Sequence, residues 1–286
     1  MSAMPGASPN AIESALSLRI PWKLIRIVTF YVGLIGIWKL LAVADIWPSY
    51  VFPAPDLVWD TLWRNIDSGR IPDALTLSLK RMAIGYSLAM GIGLFLGLMM
   101  GAFKWVDECL ETLLLGIQSL PNVAWLPLGL IWFGLNDRAI LFVVVMGSMS
   151  SMAISARGGI RNIPPLQLRA ASMFGGHAWQ RYRYVILPAM FPSLVQGLRL
   201  GWSFAWHALM AGELLFVSQS LGYLLSVGRE LNDIRLVMAV MVVIVVVGTT
   251  VDRIVFAPLE RRVSERWGLV PSSASARIRP GWWWFR

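Results

Sequence analysis

The stretch PPLQLRAASMFGGHAWQRYRYVILP, residues 164–188, is the longest strongly polar segment between membrane-like apolar runs, and its parts come in a fixed order. Pro164 and Pro165 suit a helix start, where the missing proline N–H would have no partner in any case. Leu166, Ala170, Met173 and Phe174 follow at i, i+4, i+7 and i+8, which predicts one short helix with an apolar stripe. Gly175-Gly176 ends it, since glycine takes the left-handed conformation of a helix terminus without steric cost. A second helix, basic and aromatic, is expected over 177–186 and runs through Leu187-Pro188 into the next apolar segment. A helix, a glycine break and a second helix feeding a span describe a lever at a bilayer surface.

The composition around this lever is that of a membrane protein. Of 286 residues, 57 % are hydrophobic and 14 % charged, too apolar a balance for an ordinary soluble domain. Several runs approach or exceed the roughly 18–20 apolar residues that cross a bilayer core. The expected fold is all-α, with about six transmembrane helices and a cytoplasmic coupling helix between spans four and five. A single cysteine, Cys109, excludes an internal disulfide, and His177 and His207 lie too far apart for ligand spacing. The net charge of +9 gathers in the tails and in the 157–188 segment, as on cytoplasmic faces, so nucleic acid is not an expected partner.

Read in order, residues 1–23 are a cytoplasmic segment without a signal pattern, and Arg19, Lys23 and Arg26 precede or open a first span at about Ile27–Ala44. Residues 45–75 are rich in aspartate, with an amphipathic helix expected over Leu57–Ile66 on the outer surface. The second span, about Met82–Phe103, is uncharged. Its Gly93, Gly97 and Gly101, four residues apart, open a groove for another helix. Asp107, Glu108 and Glu111 run against the positive-inside trend, in which acidic residues count little.

The third span, about Thr112–Leu135, is interrupted at Pro121-Asn122 and Pro127. Its Gln118 and Asn122 either wall a pathway or make interhelical contacts. A fourth span, about Ala139–Ala156, is rich in serine and glycine, and a fifth, about Met190–Val217, carries Arg199, His207 and Glu213. Arg199 either snorkels or serves function; His207 either packs or pairs with Glu213; Glu213 either holds a gate or faces outer-leaflet water. A mixed-charge loop over 229–235 leads to the sixth span, Leu236–Val251. The membrane domain is thus 24–268, with 269–286 a basic, Trp-rich tail and both termini cytoplasmic.

Arg169-Ala170-Ala171, then Gly175, then Val185-Ile186-Leu187-Pro188 resembles the EAA loop of binding-protein-dependent ABC importer permeases, with Arg169 where that family has glutamate. SLPNVAWLPLGLIWFG (Ser119–Gly134) and GELLFVSQSLGYLL (Gly212–Leu225) are similar to its sulfonate, nitrate and taurine branch. The resemblance implies that Leu166, Arg169, Ala170, Ala171, Phe174, Gly175 and Pro188 couple to an ATPase. It implies two ATPase subunits holding ATP and Mg, an extracytoplasmic substrate-binding protein, a second permease copy, surrounding membrane lipid, and residence in a prokaryotic plasma membrane. The expected solute is a small anion.

The chain carries no G-x-x-x-x-G-K-[ST] and no nucleophile–base–orienter group, so no bound cofactor, no metal and no catalytic residue is expected. An ATP-independent secondary transporter or channel is the alternative, which an inverted repeat would favour. A membrane enzyme using His207 and Glu213 as acid and base is a third reading, without a supporting motif. Because a carboxylate repels an anion, Glu213 is expected to hold an outer gate instead of binding the solute; Gln118, Asn122 and His207 are expected along the path.

Overall fold

Prolines and short polar caps set most of the helix ends in the computed structural model, which describes residues 22–44, 46–166, 169, 173, 180 and 182–268. The helices, in order, are α1 (Trp22–Val43), α2 (Pro55–Asp67), α3 (Arg70–Ala102), α4 (Lys104–Ser119), α5 (Leu126–Phe133) and α6 (Asp137–Arg161). After the 164–188 segment come α7 (Leu187–Glu213), α8 (Leu221–Glu230), α9 (Ile234–Val251) and α10 (Ala257–Arg266). No strand occurs among the described residues. Asn136, Ser220 and Asp233 cap α6, α8 and α9 by accepting from the backbone N–H of Arg138, Tyr223 and Leu236.

The chain divides into two compact units, residues 1–59 and 60–286. In the first, Trp38 donates its indole N–H to Pro53 O at 3.1 Å, tying α1 to the segment that follows it. In the second, α6 is the axis, packed along its length between α3 and α7. Gly93 and Gly97 lie directly on the α6 backbone: a Cβ at Gly93 would meet Met149 O at 2.3 Å, and one at Gly97 would meet Ala153 O at 2.5 Å. Gly101 similarly meets Ile160. The expected glycine groove is therefore filled by α6, and Gly85 and the fully buried Ala89 extend it at the same four-residue spacing.

Among the described residues, four helices are long and apolar enough to cross a membrane: Ile25–Val43, Arg70–Ala102, Asp137–Arg161 and Ile234–Arg266. The pair Lys104–Ser119 and Asn122–Phe133, bent by 103°, makes a fifth if read as one broken span. Proline explains the bend, because Pro121 ends the hydrogen-bond ladder and a short 3₁₀ turn, Asn122–Trp125, restarts it. The expected fifth span, α7, has 27 residues and spans about 40 Å, but its arginine, histidine, glutamine and glutamate lower its apolar content.

Several boundaries differ from the sequence reading. The second span starts at Arg70, twelve residues before Met82, because the first three turns of α3 are amphipathic and bury Ile71, Ala74, Ser78 and Arg81. The fifth ends at Glu213, not Val217, and α8 fills part of what reads as a loop. Residues 182–186 form a wide π turn that runs straight into α7, and 252–256 form another between α9 and α10. Each π turn stands just before a proline, Pro188 and Pro258, whose ring would otherwise strike the carbonyl four residues back. The widened turn makes room for that ring.

Candidate functional site

Helix α7 joins the 164–188 segment at one end, here called proximal, to a buried polar cluster at the other, distal end. At the distal end Glu213 is 0 % exposed. Its Oε2 accepts from Ser78 Oγ at 2.7 Å and from the Gly222 N–H at 3.2 Å, and its Oε1 accepts from Arg81 Nη1 at 3.3 Å. Gly222 is the second residue of α8, so the carboxylate also caps that helix's electropositive end. Ser78 Oγ accepts in turn from the Leu221 N–H at 3.1 Å.

Arg81 is itself 5 % exposed and spreads over three acceptors: Glu213, Ser218 Oγ at 3.0 Å, and Asp137 Oδ1 at 2.6 Å from Nη2. Its Nε has no acceptor among the described residues, which leaves this arrangement about 1–3 kcal/mol short of full satisfaction. The cluster thus draws together α3, α6, α7 and α8 through one cation and two carboxylates. Sequence reasoning singled out Glu213 and missed Arg81, because Arg81 stands one residue before the uncharged run of the second span.

His207 is not the partner of Glu213. Six residues apart on one helix, the two side chains point about 120° away from each other. His207 instead lines an open cavity of about 700 Å³ between α7 and α9, beside Trp202, Ser203, Trp206 and Gly248. The two tryptophan rings stack there at 5.9 Å. Asn122 touches α7 and α6: its Nδ2 donates to Phe204 O at 3.4 Å, and its Oδ1 lies 2.8 Å from where a Cβ on Gly147 would stand. Gln118 is exposed, one turn before the Pro121 break.

Toward the proximal end, Arg199 does not stand alone. Its guanidinium holds Asp252 through two bonds of 2.7 and 2.8 Å and Glu260 through one of 2.5 Å, so α7 is tied across the π turn to α10. Asp107, almost fully buried, accepts from Arg157 and Arg161, and Arg157 also reaches Glu111 at 2.5 Å. Two of the acidic residues that break the positive-inside trend, Asp107 and Glu111, are therefore matched by the arginines that close α6.

Of the expected coupling residues, Leu166 is 77 % exposed, as is the neighbouring Met173 at 87 %, and Arg169 is helical and exposed. Ala170, Ala171, Phe174 and Gly175 lie outside the described residues, as do the 269–286 tail and Arg19. Pro188 is anchored: its carbonyl accepts from Trp267 Nε1 at 2.9 Å, and the Trp267 ring stacks on Phe191 at 5.7 Å.

Comparison with known proteins places this architecture. Residues 89–265 match the model of a family described as the binding-protein-dependent transport system inner membrane component. A protein of Methanocaldococcus jannaschii named as an ABC transporter permease is 31 % identical over 222 residues, 76 % of this chain and 83 % of its own. An aliphatic sulfonates transport permease of Escherichia coli is 29 % identical, with 85 % and 93 % of the two chains covered. The taurine transport system permease of the same organism is 27 % identical, covering 86 % and 93 %. Among solved structures, an amino acid ABC transporter superposes with a TM-score of 0.59 at 20 % identity, over 70 % of this chain and 97 % of that one.

Proposed function

The chain belongs to the binding-protein-dependent transport system inner membrane components, and we propose that it is the permease of an importer for a small anionic solute such as an aliphatic sulfonate, taurine or nitrate. The family makes it a membrane-embedded ABC permease, which works with ATPase partners. The names of the sulfonate and taurine relatives support the solute class. The working unit proposed here is two permease copies, two cytoplasmic ATPase subunits carrying ATP and Mg, and an extracytoplasmic binding protein. It sits in a prokaryotic plasma membrane with both chain termini in the cytoplasm.

The observation that carries this reading is the unbroken run from the π turn at 182–186 through α7 to Glu213. Exposed Leu166 and Met173 offer the ATPase an apolar surface, and the π turn at 182–186 passes its movement into α7 without an intervening loop. Glu213, withdrawn from any anion by Ser78, Gly222 and Arg81, holds a gate at the distal end. The cavity bearing His207, with Gln118 and Asn122 flanking the broken span, forms part of the solute path.

Affinity purification followed by mass spectrometry tests the assembly: an ATPase and a solute-binding protein should co-purify, and recovery of neither would defeat the importer reading. Replacing Gly175 by valine should abolish solute uptake or ATPase association while membrane insertion stays normal. Cysteines introduced at Ser68 and Leu231 should react with an impermeant thiol reagent outside right-side-out vesicles. One at Ala178 should not, and its labelling would invert the orientation.

A further inference from the structure

Arg81 has two carboxylate partners of opposite character. Glu213 is fully buried at 3.3 Å, whereas Asp137, the first residue of α6, has a side chain 61 % exposed and bonds at 2.6 Å. Ser218 and Glu213 both accept from Nη1, and Nε meets no acceptor among the described residues. One guanidinium held from two sides cannot turn its N–H groups fully onto both carboxylates. The longer bond falls on the buried partner.

We infer that Arg81 is the positioning residue of the Glu213 gate, and that Asp137 sets its grip from the distal surface. Drawing Asp137 away, as a cationic side chain of a protein docked on that surface would do, frees Nη2 and lets the guanidinium turn fully onto Glu213. Because Glu213 also holds Gly222 and Ser78, that shift tightens the whole corner formed by α3, the end of α7 and the start of α8. The inference rests on the gate reading of Glu213.

The distinguishing feature is sign. Neutralising the two carboxylates should act in opposite directions: Glu213→Gln loosens the corner, and Asp137→Asn tightens it. In the assembled complex in lipid nanodiscs, with no solute added, Glu213→Gln should raise ATP hydrolysis by about fivefold. Asp137→Asn should lower it by about twofold, the scale of one exposed ion pair. Ser218→Ala, which removes a second acceptor holding the guanidinium in place, should follow Asp137→Asn. Arg81→Lys, which keeps the charge but loses the fork, should follow Glu213→Gln.

A second measurement needs only the permease, with Cys109 replaced by serine and spin labels at Leu79 and Leu231. The distance distribution should broaden in Glu213→Gln and narrow in Asp137→Asn. Both variants shifting in the same direction, or an unchanged distribution in both, would overturn the inference. If no ATPase assembles with the wild-type chain but the distances move in opposite directions, the importer reading fails and the Arg81 device stands.

Discussion

The two ends of α7 are both held by arginine–carboxylate networks, but they are built differently. At the distal end Glu213 is 0 % exposed and meets a hydroxyl, a backbone N–H and a guanidinium. At the proximal end Arg199 is 38 % exposed and meets two carboxylates that are themselves partly open. A buried charge is expensive to leave unmatched, whereas an exposed one falls back on water. The distal network is therefore costly to break outright, and the proximal one cheap.

The sharpest way to break this contrast is Glu213→Ala, which leaves Arg81 buried beside only Asp137 and Ser218. Thermal unfolding in detergent should show a loss of about 3–5 kcal/mol, and a loss near zero would erase the distinction. Arg157→Gln strips buried Asp107 of one of its two arginines and should cost about 2 kcal/mol by the same assay. Arg199→Gln, with half-open partners, should cost about 1 kcal/mol after solvent screening. Trp267→Phe keeps the ring on Phe191 but loses the bond to Pro188 O, and should cost about 0.5–1 kcal/mol. The solvent-facing pair Arg261–Glu265 sits at the bottom of the scale: Arg261→Ala should leave the melting curve where it was.

How much of this was legible in the chain follows the range of the physics involved. Local signals were plain. Proline at 121 announced the break in the third span, glycines at 93, 97 and 101 announced a close helix contact, and the ionisable residues of α7 marked its importance. Partners were hidden. Arg81 lies 132 residues from Glu213, and nothing in a hydropathy pattern joins the amphipathic opening turns of one helix to the end of a later one. His207 was the nearer candidate along the chain, and helical geometry turned it away. Asp107 looked like an exception to a charge rule until the fold brought Arg157 and Arg161 to it from 50 and 54 residues downstream. The short helix α8 escaped notice because its ten residues do not register beside membrane-length apolar runs.

The seam between α3 and α6 has a consequence for how this chain tolerates change. Positions 85, 89, 93, 97 and 101 form a ladder of one rung per helical turn, and at three of its rungs a single added methyl would collide with the neighbouring backbone or with Ile160. A library of every single substitution, selected for uptake, should therefore show a period-four comb of intolerance, with even alanine rejected at Gly93 and Gly97. Residues on the outward side of the same helix, such as Ile84, Leu88 and Phe95, should accept most apolar exchanges. Drift in this chain is channelled: the lipid-facing surface is free to wander while one line of hydrogen atoms must stay hydrogen.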